Sequence, residues 1–192
     1  MRLDPRRERA ILDATMELLS EVGFERMSID QIARRASASK ATIYRRWPGK
    51  EALVVDLVRN HLEIGVAPPP DTGSMRGDLV AVVGGFCRTL EQQHGLVFGL
   101  LPALLTTPEL AAALREHVPR PDITGTTPLL DRARDRGELP GRADPGEIRT
   151  VTEALVWHRL LIVGKPLDES FVADTVDRVL LPLIHAWTEP RR

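Results

Sequence analysis

The sequence predicts an all-α protein. Apolar residues recur at helical spacing in one segment after another, Ser, Asp, Pro and Gly stand where such helices would start and stop, and no segment carries the two-residue alternation of a strand. The composition is 43% hydrophobic and 28% charged with only 4% aromatic residues, which suits a helical core built from Leu, Val, Ile and Ala. At 192 residues the chain has room for a small helical domain followed by a larger one.

Residues 4–22 form the first expected helix. Ile11, Ala14, Leu18 and Val22 mark its core stripe, and Gly23 is its stop. Arg2, Arg6, Arg7 and Arg9 crowd its start, the unfavourable end of the helix dipole for cations. A basic arm reaching phosphate or a set of solvated charges would each account for them. Phe24 is expected to pack between the first two helices.

Residues 28–53, SIDQIARRASASKATIYRRWPGKEAL, have the spacing of a helix-turn-helix. Ser28 and Gln31 make a capping box, and Ile29, Ile32, Ala33 and Ala36 then fall on one face of a short helix. Ser37-Ala38 interrupts it, and Ser39 caps a second helix with Ile43 and Trp47 inward. Lys40, Thr42, Tyr44 and Arg45 face outward, with Arg46 beside them. Pro48-Gly49 ends this helix, and Lys50 opens a fourth, expected over residues 50–63, where Leu53, Leu57 and Val58 recur at core spacing.

The stretch GVAPPPDTGSMRG, rich in Pro and Gly, reads as a domain boundary. Beyond it Leu79, Val82, Val83, Phe86, Cys87 and Leu90 line one helix. Residues 96–105 form a nearly all-apolar one that is expected to be buried, and Thr107-Pro108-Glu109 starts the next. Pro119, Pro121, Gly125 and Pro128 interrupt the pattern until residues 129–136 resume it, ending at Gly137. Asp144-Pro145 opens a helix with Ile148, Val151, Leu155 and Ile162 on one side, ended by Gly164. Asp168 opens the closing helix. Its Phe171, Val172, Val176, Val179, Leu180, Leu183, Ile184 and Trp187 cover more than one face, which suggests a partner helix from a second copy.

The net charge of -1 conceals an asymmetry. Residues 1–61 carry 12 Lys+Arg against 9 Asp+Glu, and the remainder 14 against 18. An anionic polymer would therefore dock on the first third. Cys87 is the only cysteine, which excludes an intramolecular disulfide and a cysteine-built zinc site, and it is expected to be a buried thiol. No apolar run reaches the roughly 18 residues of a membrane span, and MRLDPRRERA lacks a signal peptide's apolar core, so the expectation is a cytoplasmic protein. The five histidines, His61, His94, His117, His158 and His185, are scattered, and no nucleophile elbow or phosphate loop occurs. Glu153, Trp157 and His158 could line a cavity but pair no acid with a base. We therefore expect no enzyme, no cofactor and no metal. A helical protein-interaction module without specific DNA binding is the alternative, and the outward cations of the second motif helix argue against it.

The motif I-A-x-x-A-x-x-S-x-x-T-I-Y-x-x-W-x-x-K-x-x-L resembles that of the tetracycline-repressor (TetR) family of one-component transcriptional regulators. RARDRGELP and WHRLLIVGKPLDESFV resemble one C-terminal subtype of that family. The resemblance implies a helix-turn-helix DNA-binding domain at 1–64 and a larger helical effector-binding and dimerisation domain at 76–192. It implies a homodimer on a palindromic operator, a repressor released when a small-molecule effector favours the dimer whose reading heads are misplaced. By position, Ser28, Ser39, Tyr44 and Lys50 match the family's phosphate contacts, and Lys40, Thr42 and Arg45 the places nearest base edges. An effector pocket is expected among the helices between residues 78 and 162, with Phe86, His94, Phe98, His117, Trp157 and His158 as its chemically distinctive candidates. Two departures from the family pattern are Ser37, where Gly is usual at the turn, and Trp47 for the commoner Phe.

Overall fold

The structure is a computed structural model that describes residues 4–60, 70–117, 126–139 and 141–188; the side chains of His94, Leu114 and His117 lie outside the description. The expectations for Arg2, His61, Pro119, Pro121 and Gly125 fall outside the described residues. Among those described, the helices are α1 Pro5–Arg26, α2 Ile29–Arg35, α3 Lys40–Tyr44, α4 Lys50–Asn60, α5 Met75–Gln92, α6 His94–Thr106, α7 Pro108–His117, α8 Thr126–Asp135, α9 Pro145–Trp157, α10 Glu169–Thr175 and α11 Leu181–Thr188. π-Helical stretches His158–Val163 and Val176–Leu180 follow α9 and α10. The fold is all-α, with no strand among the described residues.

The chain divides into two compact units. The first holds Met1–Ile64 together with Gln92–Val118, and the second Gly65–Glu91 together with Pro119–Arg192. Thus α6 and α7, which lie beyond the Pro-rich break in sequence, pack with the head.

In the first unit, Asp4 caps α1 by accepting from the Arg6 amide at 3.1 Å, with Pro5 at the first helical position. Gly23, at φ 78° and ψ 165°, breaks the helix before a last turn that the Met27 amide closes onto the Gly23 carbonyl. α6 lies along α1 and α7 along α4. The approach of α6 to α1 is close enough to require glycine at Gly99, where a Cβ would stand 2.0 Å from the Leu19 carbonyl oxygen; one on Gly95 would be tight, at 3.1 Å from Ser20 Cβ. Gly95, Gly99 and Ala103 follow one another at four-residue spacing, so the contact is a stripe of small residues. Leu12, Leu19, Ile32, Ile43, Leu53 and Leu57 join Leu96, Leu100, Ala103, Leu110 and Ala113 in one core. α6 is not buried all round as its apolar sequence predicts. Leu105 is 84% and Phe98 38% exposed, because the small-residue stripe with Leu96, Leu100 and Leu104 is the side that meets the head.

In the second unit, α5 buries Leu79, Val83, Cys87 and Leu90, α8 buries Leu129, Leu130 and Ala133, and the closing segment buries Val172, Val176, Leu180 and Ile184. α8 ends in a Schellman motif: Gly137, at φ 77°, donates to the Arg134 carbonyl and Glu138 to that of Ala133, both at 2.9 Å. This turn delivers Arg136 and Glu138 to the start of α5. There Asp78, fully buried, accepts from the Thr72 amide and hydroxyl at 2.7 Å each and from Arg132 and Arg136 at 3.3 Å each. Glu138 accepts from the Met75 amide at 2.6 Å and from Arg136. Burial works to raise the Asp78 carboxyl, but the Thr72 donors and the two guanidinium groups outweigh it and hold it below the usual carboxylate range. Glu138 is held low chiefly by Arg136. Residues 132–138 are therefore a cap-and-clamp that joins α8 to α5.

One core assignment fails. Ile162, seven residues after Leu155, would continue the α9 stripe inward if the helix stayed α. The stretch His158–Val163 is π-helical, and its wider turn rotates the residues that follow, leaving Ile162 75% exposed beside exposed Leu161 and Val163.

Candidate nucleic-acid interface

The helix-turn-helix is assembled from local capping chemistry. Ser28 Oγ accepts from the Gln31 amide at 3.3 Å while the Ser28 amide donates to Gln31 Oε1 at 2.8 Å, which completes the capping box read from the sequence. α2 ends in the same motif as α8, with Ser37 donating to the Arg34 carbonyl and Ala38 to that of Ala33. Here the left-handed position is Ser37 at φ 49°, the one non-glycine with positive φ among the described residues. A side chain is thus accommodated at this left-handed turn with backbone strain of about 1 kcal/mol. Ser39 Oγ accepts from the Thr42 amide at 3.1 Å and pairs with the Thr42 hydroxyl at 2.8 Å, starting α3.

α3 is held from within. Ile43 is fully buried and Trp47 2% exposed. Trp47 Nε1 donates to Asp56 at 2.7 Å, and Asn60 donates to the other Asp56 oxygen at 2.6 Å. Arg46 braces the same corner. It lies 5.6 Å from the Trp47 ring centroid and within ion-pair distance of Glu8 and Asp56, so this outward-reading cation is engaged with its own head.

Of the sequence-predicted DNA contacts, Ser39, Lys40, Tyr44 and Arg45 are exposed, while Ser28, Thr42 and Lys50 are half-buried. Tyr44 is 52% exposed. Lys40 pairs with Asp30 of α2 at 2.8 Å. The Arg45 side chain has neither ion pair nor hydrogen bond among the described residues, which leaves its planar donor fork available to a base edge or a phosphate. Lys50 differs from the rest: its ammonium donates to the carbonyls of Phe24 at 2.9 Å, Glu25 at 3.3 Å and Met27 at 3.4 Å. The acidic partners Asp30 and Asp56 have no signature in the sequence, where nothing in their spacing relates them to Lys40 or Trp47.

The expected effector residues are divided between the two units. Phe86 and Trp157 are half-buried in the second unit, and His158 is exposed there at the start of the π-helical stretch. Phe98, on α6, belongs to the first unit, as do the backbones of His94 and His117. Cys87 is 1% exposed, and burial with the nearby Glu91 charge pushes its thiol up to about 11. Among the described residues no three or more His, Cys, Asp or Glu side chains gather as a metal site would require. No described helix is long and apolar enough to cross a membrane.

Comparison with known proteins agrees with this geometry at both ends of the chain. Residues 11–57 match the family described as bacterial regulatory proteins, tetR family, and residues 69–179 the tetracyclin repressor-like C-terminal domain. The chain is 36% identical over 179 residues to the DNA-binding transcriptional repressor TetR of Mycobacteroides abscessus, covering 93% of this chain and 94% of that protein. It is 34% identical to the HTH-type transcriptional regulator YdeS of Bacillus subtilis over 88% of this chain and 85% of that one. Among solved structures, TetR family transcription regulator SCO0332 superposes with a TM-score of 0.63 at 30% identity, over 91% of this chain and 96% of that chain. The flavonoid-responsive regulator FrrA superposes at 0.68 with 24% identity, over 98% of this chain and all of that one, a likeness of fold.

Proposed function

The chain belongs to the TetR family of bacterial transcriptional regulators, and from that premise we propose that it is a ligand-responsive repressor which binds a palindromic operator as a homodimer. The observation that carries this reading is the outward face at the end of α3, where exposed Tyr44 and the C-cap residue Arg45, whose side chain has no partner among the described residues, stand on a segment anchored by buried Ile43 and Trp47. Arg45 reads a base edge, guanine being the bidentate match, with Thr42 and Lys40 beside it. Ser28, Ser39 and Tyr44 hold phosphates on either side. Lys40 must leave or share Asp30 to do so, which makes its contribution small at high salt.

The dimer is supported by apolar side chains that the second unit leaves outside: Leu161, Ile162, Val163 and Trp187 on the last helices. An effector in the second unit, near half-buried Phe86 and Trp157, would shift the dimer between reading and non-reading spacings of its heads. The reading includes no catalytic step, and it locates the protein's work in the cytoplasm. It is tested by selecting duplexes from a randomised pool with the purified protein and measuring their affinity at moderate salt. Enrichment of a two-fold symmetric sequence bound by a species of twice 21.3 kDa in light scattering is expected. A protein that enriches no sequence over random duplex would sink the proposal.

A further inference from the structure

We infer that Lys50 is a positioning residue that closes the reading motif onto itself, and not one of its phosphate contacts. The inference rests on the reading of the motif as a DNA-binding element. An ammonium has three N–H donors and accepts nothing. All three are spent: Lys50 Nζ donates to the carbonyls of Phe24, Glu25 and Met27 at 2.9, 3.3 and 3.4 Å. Its remaining approach is covered by the Phe24 ring, whose centroid lies 4.5 Å from Nζ. A phosphate oxygen could reach this cation only by displacing a carbonyl that has no other donor among the described residues.

The position of these carbonyls explains what the contact is for. They belong to the last turn of α1 and to the residue immediately before the Ser28 cap, where Gly23 has already broken the α1 hydrogen-bond ladder. Such end-of-helix carbonyls need donors. Lys50 is the first residue of α4. Its contact therefore joins the point where the motif begins to the point where it ends, and everything between, α2, the Ser37 turn and α3, lies inside the closed loop. Closing that loop limits how far the start of α2 can drift from α4, and so fixes the angle at which α3 is presented. The same charge would do little for affinity directly, being neutralised by carbonyl dipoles.

The test compares wild type with Lys50→Met, which keeps the stem and removes the donors, and Lys50→Arg, which keeps the charge but replaces a compact ammonium with a planar fork that cannot serve three converging carbonyls. Two readouts are taken on full-length protein shown folded by far-UV circular dichroism. The first, without DNA, is amide exchange at Met27 and Ser28, whose N–H groups bond Gly23 O and Gln31 Oε1. The second is the dependence of affinity on salt for a duplex that wild type enriches from a randomised pool. The expected result is faster exchange at both amides in both variants and a fall in affinity of about tenfold, with the salt slope unchanged. A slope reduced by about 0.9 per protomer, as loss of a phosphate contact requires, overturns the inference, as does rescue by Lys50→Arg or unchanged exchange. If wild type enriches no duplex, the DNA reading fails instead, and the exchange comparison decides the clamp without it.

Discussion

Replacing Gly99 with alanine should destabilise the protein even though alanine is the better helix former. The propensity term alone favours the substitution by about 0.8–1 kcal/mol. Against it, the added Cβ would stand 2.0 Å from the Leu19 carbonyl oxygen and 2.8 Å from its carbon, whereas real Cβ contacts are essentially not found below 3.0 Å. The obstacle is backbone on a well-packed helix, so no rotamer change relieves it, and α6 must retreat from α1 by about 1 Å. Overpacking of this kind costs about 1–3 kcal/mol and more when backbone must move. Taking the upper end of that range and subtracting the propensity gain leaves a net loss of about 2 kcal/mol, which for a chain of this size lowers the thermal midpoint by roughly 4–8 °C. Gly95→Ala is the control: its Cβ would meet a Ser20 side-chain carbon at 3.1 Å, a contact that a few tenths of an ångström relieves, so its midpoint should stay near wild type. Thermal unfolding followed by circular dichroism reads both. A Gly99→Ala midpoint at or above that of wild type, or a Gly95→Ala loss of equal size, would refute the account of the α1–α6 contact.

Three further outcomes follow from the geometry. Asp78→Asn should cost about 3 kcal/mol, since Arg132 and Arg136 lose the charge they converge on; and because the folded Asp78 and Glu138 carboxyls lie below their unfolded values, their stabilisation is complete above about pH 4 and is lost as pH falls through the lower folded values, so the variant should show a flatter stability profile in acid than wild type. Ser37→Gly should raise urea stability by up to about 1 kcal/mol by removing a Cβ from a left-handed residue; a loss of stability would mean that Ser37 is unstrained. Arg45→Ala should narrow the affinity gap between the selected duplex and its point variants by about 1–3 kcal/mol at one base pair, whereas Tyr44→Phe should weaken all duplexes alike; a uniform loss from Arg45→Ala would contradict its role as a base reader.

What could be read in the sequence was what is decided locally. Ser28 with Gln31, Ser39, Asp144-Pro145 and Asp168 each cap a helix through side-chain to backbone bonds spanning two or three residues, so their spacing was sufficient. In the sequence Ser37 is marked only as a departure from the family pattern, and its left-handed backbone is what the structure adds. Partner choice was not legible. Residues 96–105 are apolar on every side, so no stripe says which face is covered; the four-residue spacing of Gly95, Gly99 and Ala103 was the available signal for a close helix crossing. The π-helical stretch after Trp157 leaves no mark in the apolar spacing, so an unbroken α-helical phase places Ile162 inward where the structure exposes it. Among the binding residues, exposure of Tyr44 and Arg45 followed from helical phase. The capture of Lys50 by carbonyls more than twenty positions away could not be read, because it depends on how the chain returns on itself.

The head's dependence on α6 and α7 bears on how reading heads could be exchanged between relatives. Cutting at the Pro-rich break and transplanting residues 1–64 would carry α1 away from the Gly95-Gly99-Ala103 surface that fits it and set it against whatever side chains the recipient's equivalent helix bears. A recipient with even an alanine at the Gly99 position would meet the Leu19 carbonyl. Functional chimeras should therefore require residues 92–118 to travel with the head as a second, non-contiguous graft. The reading segment and its scaffold are, in this protein, two stretches of chain that fold as one unit.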